Sequence, residues 1–303
     1  MADSVPFVKD DQIKNPYFSA GTEHPRSEAL TLLRKSGNLD KLPVNLKALC
    51  DFESIPLRFV DIQDVSTAAR FVQTKGEWHF EVDNEGTGER DFATDSIKRR
   101  RQRFSLAHEL GHYKFESHCD ITLQGSLLSG HNPHSHGYLL QKEAQANEFA
   151  TELLLPFPAL KPLLKGLDFH NDFFQSVENI ADTFEASMTA TVKRISSILD
   201  IEVIAIHFAP DGRSHQLPSY SPAFKNAGFY FPRDGALPCD SYAARMFDGK
   251  TDAMKGKKAY PDTQLWFPFK RYGGWKTVEW VMNLGQYGIL VFLELIETDE
   301  TKY

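Results

Sequence analysis

Apolar positions along the chain follow two periods, and the switch between them divides it into parts. Residues 1–25 are polar and unpatterned and predict a flexible tail, after which Pro25 and the run Ser27-Glu28-Ala29-Leu30-Thr31-Leu32-Leu33 predict a short helix. Ile55-Pro56-Leu57-Arg58-Phe59-Val60 and Gly76-Glu77-Trp78-His79-Phe80-Glu81-Val82 gather strand-forming residues between turn signals, so a small sheet is predicted. Over residues 96–113, Phe104, Leu106, Ala107, Leu110 and Tyr113 surround the helical wheel instead of forming one stripe, the pattern of a buried helix. A polar stretch, residues 125–137, reads as a surface loop before a second helix over residues 141–155, which Pro156 and Pro158 stop. Val177, Ile180, Ala181 and Phe184, then Met188, Val192, Ile195 and Leu199 behind a Ser187 cap, predict a compact helix pair.

From residue 201 the period shortens. Glu202-Val203-Ile204-Ala205-Ile206-His207-Phe208 and Tyr287-Gly288-Ile289-Leu290-Val291-Phe292-Leu293-Glu294-Leu295 predict strands among Pro- and Gly-containing turns. The expected class is α+β, with a tail at 1–25, a core at 26–165, a helical unit at 166–200 and a β-rich domain at 201–303. In that last domain Phe229, Tyr230, Phe231, Trp266, Phe267, Phe269, Trp275 and Trp280 could line a small-molecule pocket, although core packing is the commoner use of aromatic rings.

Composition narrows the functional classes. The 303 residues are 41% hydrophobic and 25% charged, as in ordinary globular proteins. The net charge of −7 argues against a generally basic nucleic-acid-binding surface. No apolar run in the chain is long enough for a membrane helix, which needs about 18 residues or more. The start has no basic-then-apolar pattern, so a cytoplasmic location is expected. Three scattered cysteines, Cys50, Cys119 and Cys239, make no paired framework and fit a reducing compartment.

The strongest chemical signal is His108-Glu109-Leu110-Gly111-His112. Residues four apart on a helix are about 40° apart in rotation, so both imidazoles can reach one ion. Glu109, beside that face, has the chemistry of a general base that takes a proton from zinc-bound water. Zinc lowers the pKa of that water and polarises a peptide carbonyl, and the same donors also accept Mn2+ or another divalent ion. Two residues compete for the third ligand position. Glu143 opens a helix on which Asn147, four residues on, shares its face as a group able to orient a ligand. His118 occupies the last position of the extended pattern H-E-x-x-H-x-x-G-x-x-H, but Phe115 stands where that pattern needs glycine for a sharp helix exit.

The blocks Arg101-Gln102-Arg103-Phe104-Ser105-Leu106-Ala107-His108-Glu109-Leu110-Gly111-His112 and Glu143-Ala144-Gln145-Ala146-Asn147-Glu148-Phe149-Ala150-Thr151-Glu152-Leu153-Leu154-Leu155-Pro156 resemble the ImmA/IrrE family of metallopeptidases in order and spacing. Leu155 stands where a methionine is frequent. The resemblance implies a zincin-like peptidase core, zinc held by His108, His112 and Glu143, and Glu109 as catalytic base. It further implies a substrate that is a helix-turn-helix transcriptional repressor, and a helix-turn-helix-like unit behind the core. By analogy alone, the C-terminal domain would be a GAF-like sensor. The helix pair itself argues for packing or repressor docking above DNA binding, because only Lys193 and Arg194 are basic there, against Glu178, Asp182, Glu185 and Asp200.

The expected function is therefore a site-specific zinc endopeptidase acting on a protein regulator, with Tyr138, His131, His134 and His136 as loop candidates for oxyanion stabilisation. The rival is a non-enzymatic transcriptional regulator or ligand-sensing binding protein with a structural zinc site, closed by a fourth ligand such as Cys119 or His118.

Overall fold

Among the described residues two hydrophobic cores organise the chain. A computed structural model describes residues 8–14, 24–64, 67–115, 133–165, 167, 173–216, 218–232, 235–250, 253–260, 262–268 and 274–298. The class is α+β, with two sheets among these residues. One unit joins residues 16–163 to 178–187, and the other joins residues 1–15, 164–177 and 188–303.

In the first unit, α1 (Pro25–Lys35) starts at a proline behind His24, whose side chain caps it, and buries Ala29, Leu30, Leu32 and Leu33. Asn45 caps α2 (Leu46–Phe52) by accepting from the Ala48 amide at 3.1 Å. Strands β1 (Leu57–Val60), β2 (Ala69–Thr74) and β3 (Glu77–Asp83) form a sheet in the order β1-β3-β2, with β1 parallel and β2 antiparallel to β3. Phe80 and Val82 of β3 and Phe71 of β2 join Leu106, Ala107 and Leu110 of the buried helix α3 (Ser96–Phe115) in one core. The long helix α4 (Pro133–Leu154) adds Ala146, Phe149, Ala150, Leu153 and Leu154, a stripe at helical spacing. Helix α5 (Phe157–Leu164) follows, its first amide bonded at 2.8 Å to the buried carboxylate of Glu152.

The stretch read as a loop over residues 125–137 is helical from residue 133, so α4 starts about two turns earlier than its apolar pattern suggests. Pro133 opens it; a proline at a first helical position has no amide hydrogen to leave unpaired, and its φ is already helical. Strand β2 is absent from the sequence reading. Its alternation, Ala69-Arg70-Phe71-Val72, is short and fades into Gln73 and Thr74 before the Lys75–Gly76 turn.

Helix α6 (Phe173–Phe184) ends at Glu185, whose φ of 48° is left-handed, and the Ala186 amide closes the turn on the Ala181 carbonyl at 2.9 Å. Within the first unit that turn is clamped to α3. Arg99 and Arg103 reach Glu185 at 3.0 and 3.4 Å, and Arg100 pairs with Asp182. Two of the acids that faced the basic residues of the helix pair in the sequence are thus engaged with the motif helix.

In the second unit, α7 (Met188–Ile198) buries Val192, Arg194, Ile195 and Ile198. The sheet runs β5-β4-β8-β7-β6, all antiparallel, from β4 (Val203–Phe208), β5 (Ser219–Tyr220), β6 (Lys255–Tyr260), β7 (Trp275–Asn283) and β8 (Ile289–Glu297). One sheet face presents Ile204, Ile206, Val281, Val291 and Leu293 to Phe224 of α8 (Pro222–Asn226) and Met246 of α9 (Tyr242–Phe247). On the other face Phe173 lies 5.4 Å from Trp280 and 4.6 Å from Phe292. The buried Glu279 carboxylate accepts from the Tyr242 and Ala243 amides, tying α9 to β7, and burial pushes its pKa up. Within the segment expected as a tail, Val8 and Ile13 are buried, and the Lys14 amide bonds the Ile198 carbonyl at 2.9 Å. Phe229, Phe231, Trp266 and Phe267 are buried together in the sheet's core, whereas Tyr230 is exposed; Phe269 lies outside the described residues.

Candidate metal centre

Helix α3 carries both motif histidines and Glu109; α4 carries Glu143 and Asn147. What brings them together is the crossing of the two helices at Gly111. A Cβ at that position would lie 2.9 Å from the Ala146 Cα and 3.1 Å from its carbonyl oxygen, so only glycine lets the backbones approach this closely. Ala146 sits one turn after Glu143 on the same stripe. Close approach at Gly111 therefore delivers the Glu143 carboxylate to the imidazoles. Lys142 ties the same turn to the end of α3 by donating to the Phe115 carbonyl at 2.8 Å.

The donor atoms of His108, His112 and Glu143 all lie within 4.8 Å of one another. The two Nε2 atoms are 2.9 Å apart, and the Glu143 carboxylate oxygens lie 3.2 Å from His108 Nε2 and 3.3 Å from His112 Nε2. His112 is nearly buried and Glu143 about half exposed, so the cluster opens on one side. The hydrogen bonds from the imidazoles hold the Glu143 carboxyl well below the ordinary carboxylate range.

On the far ring nitrogen, His108 Nδ1 is 3.1 Å from Asn147 Oδ1. An amide oxygen only accepts, so this contact calls for a proton on Nδ1; in a neutral ring that would leave the Nε2 lone pair for a metal, in place of the hydrogen bond that Nε2 gives Glu143 in the metal-free site. Two imidazole nitrogens and one carboxylate, with a partner fixing the tautomer of one ring, fit a divalent transition metal such as zinc. Among the described residues this trio is the one group of its kind. His118 and Cys119, considered as further ligands, lie outside the described residues, as does His131; His134, His136 and Tyr138 fall in the first turns of α4.

Glu109 stands apart from the trio. Its Oε2 accepts from the Phe71 backbone amide at 3.0 Å, and burial pushes its pKa up against the opposing pull of His112 and His108. Phe71 is fixed in turn by stacking on Trp78 at 4.8 Å and by an edge contact with Tyr113 at 5.7 Å. This backbone donor and the crossing glycine are the site features that motif reading passes over. The signal for the first lies in the alternation of β2; that for the second lies in the motif itself, as a glycine amid helix-forming residues.

Residues 95–196, about a third of the chain, match the Peptidase_M78 family, described as an IrrE N-terminal-like domain. No curated protein matches the chain. Among solved structures, a Mycobacterium tuberculosis transcriptional regulator is similar with a TM-score of 0.54 and 11% identity over 90% of this chain and 75% of that one, a likeness of fold. Among the described residues no helix is long and apolar enough to cross a membrane. The family match supports a metallopeptidase-type role with a divalent metal and a protein substrate, and it spans both motif helices; residues 95–196 match an IrrE N-terminal-like domain, which supports a place in the ImmA/IrrE family of metallopeptidases.

Proposed function

We propose that the chain is a zinc-dependent, site-specific endopeptidase that cuts a protein regulator, with a helix-turn-helix transcriptional repressor as the substrate class. The observation that carries this reading is the convergence of His108, His112 and Glu143 beside a separately held Glu109. His108, His112 and Glu143 would hold the ion, which when bound supplies Lewis-acid polarisation of a peptide carbonyl and acidifies water.

The chain's own residues supply the remainder. The Phe71 amide fixes Glu109 Oε2, leaving Oε1 to take a proton from the attacking water and hand it to the departing amine. Burial makes that carboxylate more basic than a solvated one, which suits proton abstraction near neutral pH. Asn147 holds the His108 ring and its tautomer. Asn147→Ala is accordingly expected to weaken zinc binding by about 10–100-fold while leaving the unfolding midpoint of the metal-free protein in place. Chelator competition and a denaturant titration measure the two; unchanged zinc affinity would remove Asn147 from the site.

In this reading residues 26–165 are the peptidase core, 166–200 a docking or packing unit and 201–303 a candidate sensor domain. Arg194 is buried, and Lys193 is half-buried with its amine donating to Gln216 Oε1 at 2.8 Å, which supports docking over DNA binding, because neither is a freely presented cation for phosphates. The direct test is to incubate the zinc-loaded protein with helix-turn-helix repressors encoded beside its gene. One discrete cut, stopped by chelator and restored by zinc, is the expected result. Intact repressors throughout, or a cut that ignores chelator, would sink the reading.

A further inference from the structure

The sheet of the first unit has two edges with different fates. At β2, the outward amide of Phe71 is taken by Glu109. At β1, the ladder bonds to β3 run from the Phe80 amide to the Pro56 carbonyl and from the Asn84 amide to the Val60 carbonyl, at 2.9 and 2.8 Å. In a parallel ladder the intervening alternation turns the peptide groups of Leu57 and Phe59 away from β3. Among the described residues those groups have no backbone partner. They border an open groove of about 520 Å³ lined by Lys47, Asp51, Leu57, Arg58, Phe59 and Arg90.

The groove is basic in a chain of net charge −7. Its three cations outnumber the two carboxylates beside them, Asp51 and the Asp91 that pairs with Lys47; among the described residues neither Arg58, which lies 3.3 Å from His79 Nε2, nor Arg90 has a carboxylate at ion-pair distance. Lys47 pairs with Asp91 at 2.8 Å and lies 5.2 Å over the Phe59 ring. An open strand edge satisfies its amides and carbonyls by taking another strand, and the neighbouring side chains choose which one.

We propose that the β1 edge takes an extended acidic segment of a partner protein as a fourth strand, its carboxylates directed at Lys47, Arg58 and Arg90. A second copy of the chain is disfavoured, since pairing β1 with β1 would set like cations against each other. Nucleic acid fits less well. Its backbone makes no use of a strand's alternating donors and acceptors, and Asp51 and Asp91 stand among the cations. The surface is separate from the metal trio, and the proposal holds whether or not the chain is a peptidase.

The test uses the full chain and a fluorescein-labelled octapeptide alternating glutamate and valine. Expected are a rise in anisotropy on binding, new hydrogen-exchange protection at the Leu57 and Phe59 amides, and loss of at least about tenfold in affinity in Lys47→Glu/Arg90→Glu. A backbone N-methylated version of the peptide, which leaves the protein untouched, is expected to bind about tenfold more weakly. Binding without protection at those two amides overturns the proposal, as does equal affinity for a control octapeptide alternating lysine and valine or for the N-methylated peptide. Displacement of the peptide by a single-stranded oligonucleotide, without protection of the β1 edge, would make the groove a general polyanion site and overturn it as well.

Discussion

Glu109→Gln is expected to retain its metal and to lose about 10²–10⁴-fold in cleavage rate. The substitution keeps the shape of the side chain, and the amide oxygen of glutamine can still accept from the Phe71 backbone at the position where Glu109 Oε2 now lies at 3.0 Å. Nothing that gathers the metal donors is disturbed, because their convergence rests on the two imidazoles and the Glu143 carboxylate. Only the capacity to take a proton disappears. Metal content measured alongside single-turnover cleavage separates the alternatives. Near-native cleavage in the variant would remove Glu109 as the base, and loss of metal would mean that it helps to hold the ion. A regulator with a structural metal would show no cleavage in either form and no difference between them.

How much of this was legible in the chain differs by element. The motif helix could be read because His108 and His112 lie four residues apart, a spacing that fixes one face whatever surrounds it. Glu143 was only one of two candidates, since nothing local in Glu143-Ala144-Gln145-Ala146-Asn147 says that this stretch meets the motif helix. That contact is tertiary, made by Gly111 against Ala146. Strand β2 escaped notice for a related reason: half of its alternation is Arg70, Gln73 and Thr74, and it becomes a strand through pairing with β3. The early part of α4 was hidden by polar residues that read as loop and turn helical behind Pro133. In the C-terminal part β4 and β8 were visible as dense apolar runs. Strands β6 and β7 were not, because Lys255, Lys257 and Lys258 occupy the one and Lys276, Thr277 and Glu279 interrupt the other.

The division of labour at the site follows from the same geometry. The trio and Glu109 sit on different supports, the former where two helices cross and the latter against a strand amide. Binding and proton transfer should thus be separable by mutation, which a closed structural metal site would not allow. Helix α3 is in addition clamped at its N-terminal half by Arg99, Arg100 and Arg103 to the turn at Glu185, so the segment following the core is coupled to the helix that carries the motif.

The strongest expected effect on metal binding comes from removing Glu143, and a second route to the same defect tests why it is there. Glu143→Ala leaves two imidazoles and should weaken zinc binding by more than the roughly 10–100-fold that loss of an outer hydrogen-bond partner costs. Gly111→Ala leaves all three ligands in place and adds one methyl group. That methyl would meet the Ala146 backbone, at 2.9 Å from Cα and 3.1 Å from the carbonyl oxygen, and backbone cannot rotate aside as a side chain would. The helices must part, at a cost of about 1–3 kcal/mol for an overpacked contact. Parting them carries Glu143, one turn from Ala146, away from imidazole nitrogens that it now approaches at 3.2 and 3.3 Å. Adding Ala146→Gly removes only the Cβ contact at 3.2 Å and leaves the two closer backbone contacts, so the double variant should recover part of the loss and no more. Zinc affinity by chelator competition and stability by denaturant titration are to be measured on all three proteins. Unchanged zinc affinity in Glu143→Ala would dismiss it as a ligand. A Gly111→Ala protein that loses stability yet binds zinc as before would show that the helix crossing supports the fold without setting the reach of Glu143.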